Sequence, residues 1–283
     1  MDYPSILEGS DCHVSRWEQR DTVLYALAVG MGRDPCDANE LPFVYERGLR
    51  TLPTLATAIA HGAGARLLKG IDYRRVVDAE RRVSIFRPIP CEGEFRTVTS
   101  ISEVVDKGID RGAIVTRETF LWREGEDQPL ARIETTSFAR GDGGCGAPSA
   151  SSRPPLPQPP ERAPDWISQV ATTGNQALLY RLCGDRNHLH VDPHAAARAG
   201  FERPILHGMC TLGIACHVLV RDVLSYRSDR LTSIAARFTA PVFPGDLLDV
   251  RIWREDSEIY FQVVAPEREV EVLKVGHALI SPV

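Results

Sequence analysis

No run of the 283 residues approaches the roughly 18 consecutive apolar side chains that a helical membrane span needs, so no membrane partner is expected. Positive charge is not in excess either. Lys and Arg number 33 against 38 Asp and Glu, giving a formal net charge of −5 and a pI near 5.9. That balance argues against bulk nucleic-acid binding, leaving only a local basic patch for a phosphorylated ligand. None of the seven cysteines forms a Cys-x-x-Cys pair, and an odd number suits a reducing compartment better than a disulfide framework. The opening Met1-Asp2-Tyr3-Pro4 lacks the basic and apolar regions of a secretory leader. A cytoplasmic protein acting on a small molecule is the expectation, with a hydrophobic content of 43% that affords a sizeable core.

Large apolar residues are also scarce between Gly141 and Pro164, where four glycines and seven prolines crowd together. This stretch reads as a linker, and in a polyproline-like state it reaches roughly 70 Å, several times the ~13 Å radius of gyration of a 100-residue domain. It divides the chain into units 1–140 and 165–283, each reading as helices followed by strands. In the second unit the pattern predicts a strand over 166–173, helices over 175–182 and 208–224, then strands over 231–240, 247–255, 258–265 and 269–281. In the first it predicts helices over 17–29 and 53–68, then strands over 82–87, 94–106, 113–123 and 130–140. Residue echoes support a duplication. Leu24-Tyr-Ala-Leu-Ala-Val-Gly30 resembles Leu179-Tyr-Arg-Leu-Cys-Gly184, and Leu52-Pro-Thr-Leu-Ala-Thr57 resembles Leu206-His-Gly-Met-Cys-Thr211. A helix wrapped by a curved antiparallel sheet, present twice, is the economical α+β architecture.

The chemistry concentrates in the second unit. Asp185, Asn187 and His190 fall within six residues, and His207-Gly208 stands where a long apolar helix is expected to begin. A carboxylate and an imidazole can together hold and deprotonate one water, while an unpaired N–H at a helix start can stabilise charge on a carbonyl oxygen. These parts suit addition or removal of water next to a thioester. The first unit lacks them: Met31-Gly-Arg-Asp34 follows Gly30, and Pro53, which has no N–H, lies beside the corresponding donor position. Other readings are weaker. His188, His190, Asp192 and His194 are zinc-type ligands, but alternating residues share one side only on a regular strand, and Pro193 interrupts it. Asp185 with Asp192 lacks the aromatics of a sugar site. His13, His61, His217 and His277 receive no role, and His207 reads as a residue that orients its loop.

The run Tyr180-x-Leu-x-Gly-Asp-x-Asn-x-Leu-His-x-Asp-Pro, with Gly200-Phe-Glu-Arg-Pro-Ile-Leu-His-Gly after it, strongly resembles the MaoC-like type 2 enoyl-CoA hydratases. Gly30-Met-Gly, Val105-Asp-Lys-Gly, Arg140-Gly-Asp-Gly-Gly and Arg237-Phe-Thr-Ala-Pro-Val-Phe-Pro-Gly agree with it, so the resemblance covers nearly the whole chain. It implies a double hot dog fold with a degenerate N-terminal repeat and an active C-terminal one. It further implies a homodimer acting on trans-2-enoyl and (3R)-hydroxyacyl thioesters of coenzyme A, without metal or redox cofactor. Asp185 and His190 would bind the water that attacks C3, Asn187 would fix their segment, and the Gly208 amide would polarise the thioester carbonyl. Lys107 matches a position at the coenzyme end of the ligand, and Phe238 one lining the site. The sequence departs from the family at His188, where proline is usual, and at Asp78 and Ala79, which replace a substrate-facing His-Gly pair. Two alternatives stay open: a dehydratase of a specialised pathway working on an unusual or carrier-bound acyl group, and an impaired acyl-CoA binder. The intact Asp-x-Asn-x-x-His spacing favours an enzyme.

Overall fold

The computed structural model describes residues 3–68, 70–72 and 75–282; Met1 and Asp2 of the expected amino terminus lie outside them. Helix α1 (Tyr3–Leu7) leads into strand β1 (Ser10–Trp17) and helix α2 (Gln19–Ala28). Short helices α3 (Leu41–Val44) and α4 (Leu55–Ile59) follow, then strands β2 (Val76–Ile85), β3 (Gly93–Asp106), β4 (Ala113–Arg123) and β5 (Ala131–Ala139). The second half runs β6 (Trp166–Ala171), α5 (Gln176–Tyr180), α6 (Pro193–Arg198), α7 (Gly208–Val218), β7 (Leu231–Phe238), β8 (Leu247–Glu255), β9 (Glu258–Ala265) and β10 (Val270–Ile280). Setting the two halves side by side gives the same order twice, a strand, helices and four strands.

Among the described residues the ten strands form one antiparallel sheet in the order β1-β3-β4-β5-β2-β7-β10-β9-β8-β6. The repeats meet at β2 and β7, paired from Glu80 opposite Arg237 to Ser84 opposite Ser233. A strand edge that would otherwise expose unpaired amides is thereby closed by the other repeat. The inner face of the sheet carries Phe95, Leu121, Ile133, Val83, Ile234 and Ala278 into one core with the helices. The glycine- and proline-rich linker crosses the outer face strand by strand. Ser151 and Ser152 bond Glu103 on β3, Arg153 bonds Thr116 on β4 and Thr136 on β5, and the Pro154 carbonyl accepts from Arg82 on β2. Leu156 then packs with Ala235 and Val275, where β10 bulges.

Several expected boundaries are corrected. The strand β1 was not expected, because it is an edge strand with only Trp17 buried and shows little alternation. The helix expected over 53–68 breaks into α4 and a 3-10 turn, Ala65–Leu68, around Gly62 and Gly64 with φ of 79° and 74°. The strand expected from Arg82 begins at Val76, and its register slips between Asp78 and Glu80, so Asp78 and Ala79 lie on a bulged strand rather than in a loop. A helix, α6, forms where none was expected; Asp192 caps it by accepting the His194 amide at 2.8 Å, with Pro193 in the first turn.

The centre of the molecule is α7, in which every residue from Cys210 to Val218 is buried. It is apolar all round, as a helix enclosed on every side must be. It crosses the end of α2 so closely that a Cβ on Gly213 would stand 2.5 Å from Val29 Cγ1. Amides of the following turn satisfy the Tyr25, Ala26 and Leu27 carbonyls at the end of α2, and the other repeat supplies partners for those of Ala28 and Val29. Gln176 Nε2 donates to the Ala28 oxygen at 2.9 Å, Cys210 Sγ lies 3.4 Å from the same oxygen, and His217 Nδ1 lies 3.3 Å from that of Val29. His217 Nε2 is also 2.9 Å from Glu40 Oε1, an almost fully buried contact in which Gly32 N donates to the other carboxylate oxygen. His217, to which the sequence assigned no role, ties the repeats together. Burial pushes the Glu40 carboxyl up, but the His217 and Gly32 bonds outweigh it and the net shift is downward. A Gly213→Ala substitution forces the two helices apart and should lower stability by about 1–3 kcal/mol, measured as a reduced urea midpoint; an unchanged midpoint would show that the close approach is dispensable.

Candidate active site

The residues singled out in the second repeat converge at the start of α7. Gly184, with a φ of 128°, ends the 3-10 turn Arg181–Cys183 in a conformation that side-chain-bearing residues rarely adopt. The chain then folds on its own side chains: Asp185 Oδ1 accepts from the Asn187 amide at 3.1 Å, and Asn187 Oδ1 accepts from the Leu189 amide at 3.0 Å. Asn187 thus caps the 3-10 turn His188–His190 and orients the segment. His188, the departure after Asn187, is exposed.

His190 is buried, and its Nδ1 donates to the Ile205 carbonyl at 2.8 Å. That bond fixes the tautomer and leaves Nε2 with a free lone pair. Burial pushes the imidazolium pKa down against the opposing pull of the Ile205 carbonyl and Asp185, so the ring is neutral near neutral pH. His207 lies beside it with ring centroids 3.7 Å apart and planes inclined by 28°. Its Nε2 donates to the Asp185 carbonyl at 3.1 Å, and the Tyr180 ring backs it at 4.9 Å. Burial, then the neighbouring His190, pushes its pKa down to about 4. The His207 bond pins the Asp185 backbone.

Asp185, His190 and His207 bring potential ligand atoms within 4.8 Å of one another, whereas the series His188, His190, Asp192, His194 does not gather. The Ile205 and Asp185 carbonyls each engage one ring nitrogen, which leaves Nε2 of His190 and the buried Nδ1 of His207 uncommitted beside the carboxylate, a set of groups able to hold a water. His207 also precedes α7, so Gly208 N sits in the first turn, where backbone donors have no intrahelical acceptor. The Phe238 ring covers this turn: a Cβ on Gly208 would stand 3.2 Å from it. A carboxylate, two imidazoles, a backbone amide and an apolar ring thus meet at one helix end.

The remaining expected residues belong to other elements, Lys107 to a turn and Asp78 with Ala79 to the strand beside Phe238. Lys107 occupies the turn between β3 and β4, its amide bonded to the Gly112 carbonyl. Asp78 and Ala79 fall at the β2 bulge, one strand away from Phe238; Asp78 pairs with Arg81 at 2.9 Å and accepts from Ser137 Oγ at 3.2 Å. One contributor escaped the sequence reading. His61, after α4 in the first repeat, packs against Gly184, 3.4 Å from where a Cβ would stand, and its charge opposes protonation of His207. Nothing local marks His61, because only tertiary folding brings the first repeat to the turn that begins at Gly184.

The two depressed histidines set a pH dependence. Each binds its proton less readily folded than unfolded, so their stabilising contribution is complete above about 6.5. It is lost as pH falls through the folded value, about 4 for His207. The urea midpoint should accordingly decline between these limits, and a His207→Gln variant should show a shallower decline; identical slopes for both proteins would count against this cause.

Residues 15–141 match the MFE-2 hydratase 2 N-terminal domain, and residues 155–275 match the MaoC like domain. Enoyl-CoA hydratase ChsH3 of Mycobacterium tuberculosis is 36% identical, over 93% of this chain and 93% of its own length. The peroxisomal enoyl-CoA hydratase 2 of Arabidopsis thaliana is also 36% identical, over 91% of this chain and 88% of its own. A MaoC-like dehydratase from Phytophthora capsici superposes with a TM-score of 0.87 at 27% identity, covering 100% of both chains. Full-length peroxisomal multifunctional enzyme type 2 from Drosophila melanogaster does so at 0.83 and 29%, over 96% of this chain, which spans only 48% of that larger protein. A further Mycobacterium tuberculosis structure, described as a double hotdog fold, shares the architecture at a TM-score of 0.57 and 16% identity. With two family domains in tandem and 36% identity to a relative along 93% of the chain, this protein belongs to the MaoC-like hydratases in their double hot dog form.

Proposed function

We propose that this protein is a hydro-lyase that reversibly adds water to trans-2-enoyl-CoA, giving (3R)-3-hydroxyacyl-CoA. The observation that carries the reading is the fixed tautomer of His190: with Nδ1 committed to the Ile205 carbonyl and the ring kept neutral by burial, Nε2 is a ready base beside Asp185. Asp185 and His190 hold a water, whose oxygen bonds to C3 of the enoyl group as His190 Nε2 takes its proton. The electron pair of the double bond moves toward the thioester carbonyl, where the Gly208 amide stabilises the developing enolate. Return of a proton to C2 completes the hydration, and the reverse sequence is dehydration. A positioned acid/base contributes about 10²–10⁴ in rate and an oxyanion donor about 10²–10³.

The second repeat, 165–283, is the working half in this reading, with 1–140 the degenerate repeat and 141–164 the connector. The linker's contacts across the outer face support that division. The protein is taken to be a homodimer, which sedimentation tests. A cytoplasmic location draws support from seven free thiols, while relatives named peroxisomal offer the other compartment, and fluorescence microscopy of the tagged chain distinguishes them. No helix is long and apolar enough to cross a membrane. Lys107 is assigned to the coenzyme end of the ligand on the family resemblance alone.

Asp185→Asn and His190→Gln should each lower kcat by at least about 10² while ligand binding persists. The test is loss of enoyl absorbance with crotonyl-CoA; near-parental turnover by both variants would remove these residues from the chemistry. The alcohol formed should be refractory to a dehydrogenase specific for the (3S) isomer, and ready oxidation by it would overturn the stereochemical assignment. Treatment with a strong chelator should leave the hydration rate unchanged, in keeping with water rather than a cation between Asp185 and His190; a rate that collapses and returns on adding zinc would reverse this.

A further inference from the structure

The inner face of the first repeat is apolar near the seam's far end, at Val83, Ile133 and Leu121, but a polar row crosses it one step closer to Phe238. Register sets this row strand by strand. Arg117 on β4 is opposite Thr135 on β5, Thr135 is opposite Arg81 on β2, and Arg81 is opposite Ala236 on β7. Arg81, Thr135 and Arg117 share the core-facing parity of Val83, Ile133 and Leu121, being two or four residues along the same strands. The guanidinium of Arg81 bonds the Thr135 hydroxyl, and its side chain is only 11% exposed. In the next row Ser137 lies opposite both Val115 and Asp78. The bulge at Ala79 reverses the alternation of β2, so Asp78 joins Arg81 on the inner face while Glu80 turns outward to Arg82 and Arg237.

This belt adjoins the catalytic turn. Ala236, opposite Arg81, is two residues before Phe238, whose ring covers Gly208. With about 3.3 Å per residue along a strand and ~4.8 Å between strands, the Arg81 and Phe238 backbones are roughly 8 Å apart. An acyl chain whose thioester carbonyl meets the Gly208 amide and whose tail passes Phe238 into the first repeat runs onto the belt. The end nearest Asp78 is open, since that side chain is 43% exposed. Farther in, Thr99 and Thr119 bond one another at 2.8 Å, beneath the turn that carries Gly64. Arg81 Nε is buried with no hydrogen-bond acceptor among the described residues. A plain methylene tail laid on it would leave that donor unsatisfied and strip water from a guanidinium, a carboxylate and two hydroxyls, whereas a tail with an acceptor oxygen would complete the set.

We propose that the preferred substrates carry an oxygen function on the acyl chain, a hydroxyl, carbonyl or carboxylate, which accepts hydrogen bonds from Arg81 with Thr135 and Ser137 beside it. The proposal rests on the hydratase reading for where the thioester lies. It assigns to the degenerate repeat the selection of the acyl group, and it gives a physical reason for Asp78, which holds Arg81 in place at the mouth.

Matched pairs of medium-chain acyl-CoAs, one ending in methyl and the other in a hydroxyl or carboxylate, test it by two independent readings. Calorimetry with the saturated, unreactive members reads binding alone, and hydration of the trans-2-enoyl members reads turnover. The parental protein should bind at least one oxygenated member about tenfold more tightly than its methyl partner, and show a similar ratio in kcat/KM. Arg81→Met should bring both ratios close to one. Thr135→Val, which nearly preserves shape, should reduce them in a chain whose folding is undisturbed. Tighter binding of every methyl-ended member by the parent, or ratios unchanged in both variants, overturns the proposal. Absence of turnover with all enoyl members, including crotonyl-CoA, would instead overturn the hydratase reading, and the calorimetric ratios would still decide the polar selection.

Discussion

The close crossing of α7 over the end of α2 is the contact on which the rest of the molecule depends. Gly213 permits it, and once the helices are that close the exposed carbonyls of Ala28 and Val29 fall within reach of Gln176, Cys210 and His217. Leaving such carbonyls buried and unpaired would be costly. Each repeat therefore completes the other, and the β2–β7 pairing does the same for strand edges. Neither half has a fully satisfied interior alone.

The site inherits its geometry from this crossing. Because α7 is clamped along its length, its first turn is fixed relative to the loop that carries Asp185 and His190. That loop is in turn held from behind by backbone carbonyls, Ile205 on His190 and Asp185 on His207. Both imidazoles are thus oriented by main chain and kept neutral by burial, so the acid/base pair we propose is preorganised before any ligand arrives. The carboxylate belongs to the same rigid turn, with Asn187 serving as its cap.

Much of this was legible in the order of residues. The strands β8 and β9 appear at their expected bounds, because strong alternation ends at a tight turn on one side and at prolines on the other. The start of α7 was marked by His207-Gly208 ahead of an unbroken apolar stretch. Elements that depend on neighbours were not legible. The strand β1 gains its order from pairing with β3 rather than from an apolar face of its own. The beginning of β2 was obscured by the polar residues among 78–82, of which Arg81 faces inward with Val83 and Asp78 joins it only because of a bulge. His217 and His61 stand in sequence contexts like those of any surface or core histidine.

The sequence by itself determined the repeated order of helices and strands, the proline-rich composition of 141–164, the helix start that exposes an amide, and the local spacing of Asp185, Asn187 and His190. All of these are short-range properties, set by periodicity, turn chemistry and the reach of a side chain to its own backbone. Only the tertiary structure decided that His190 is a neutral imidazole with one nitrogen committed. Burial and the Ile205 carbonyl, which comes from fifteen residues away, create that state. It also decided that the interior of the first repeat is polar where it adjoins the catalytic turn, because strand register and a single extra residue at Ala79 determine which side chains look inward.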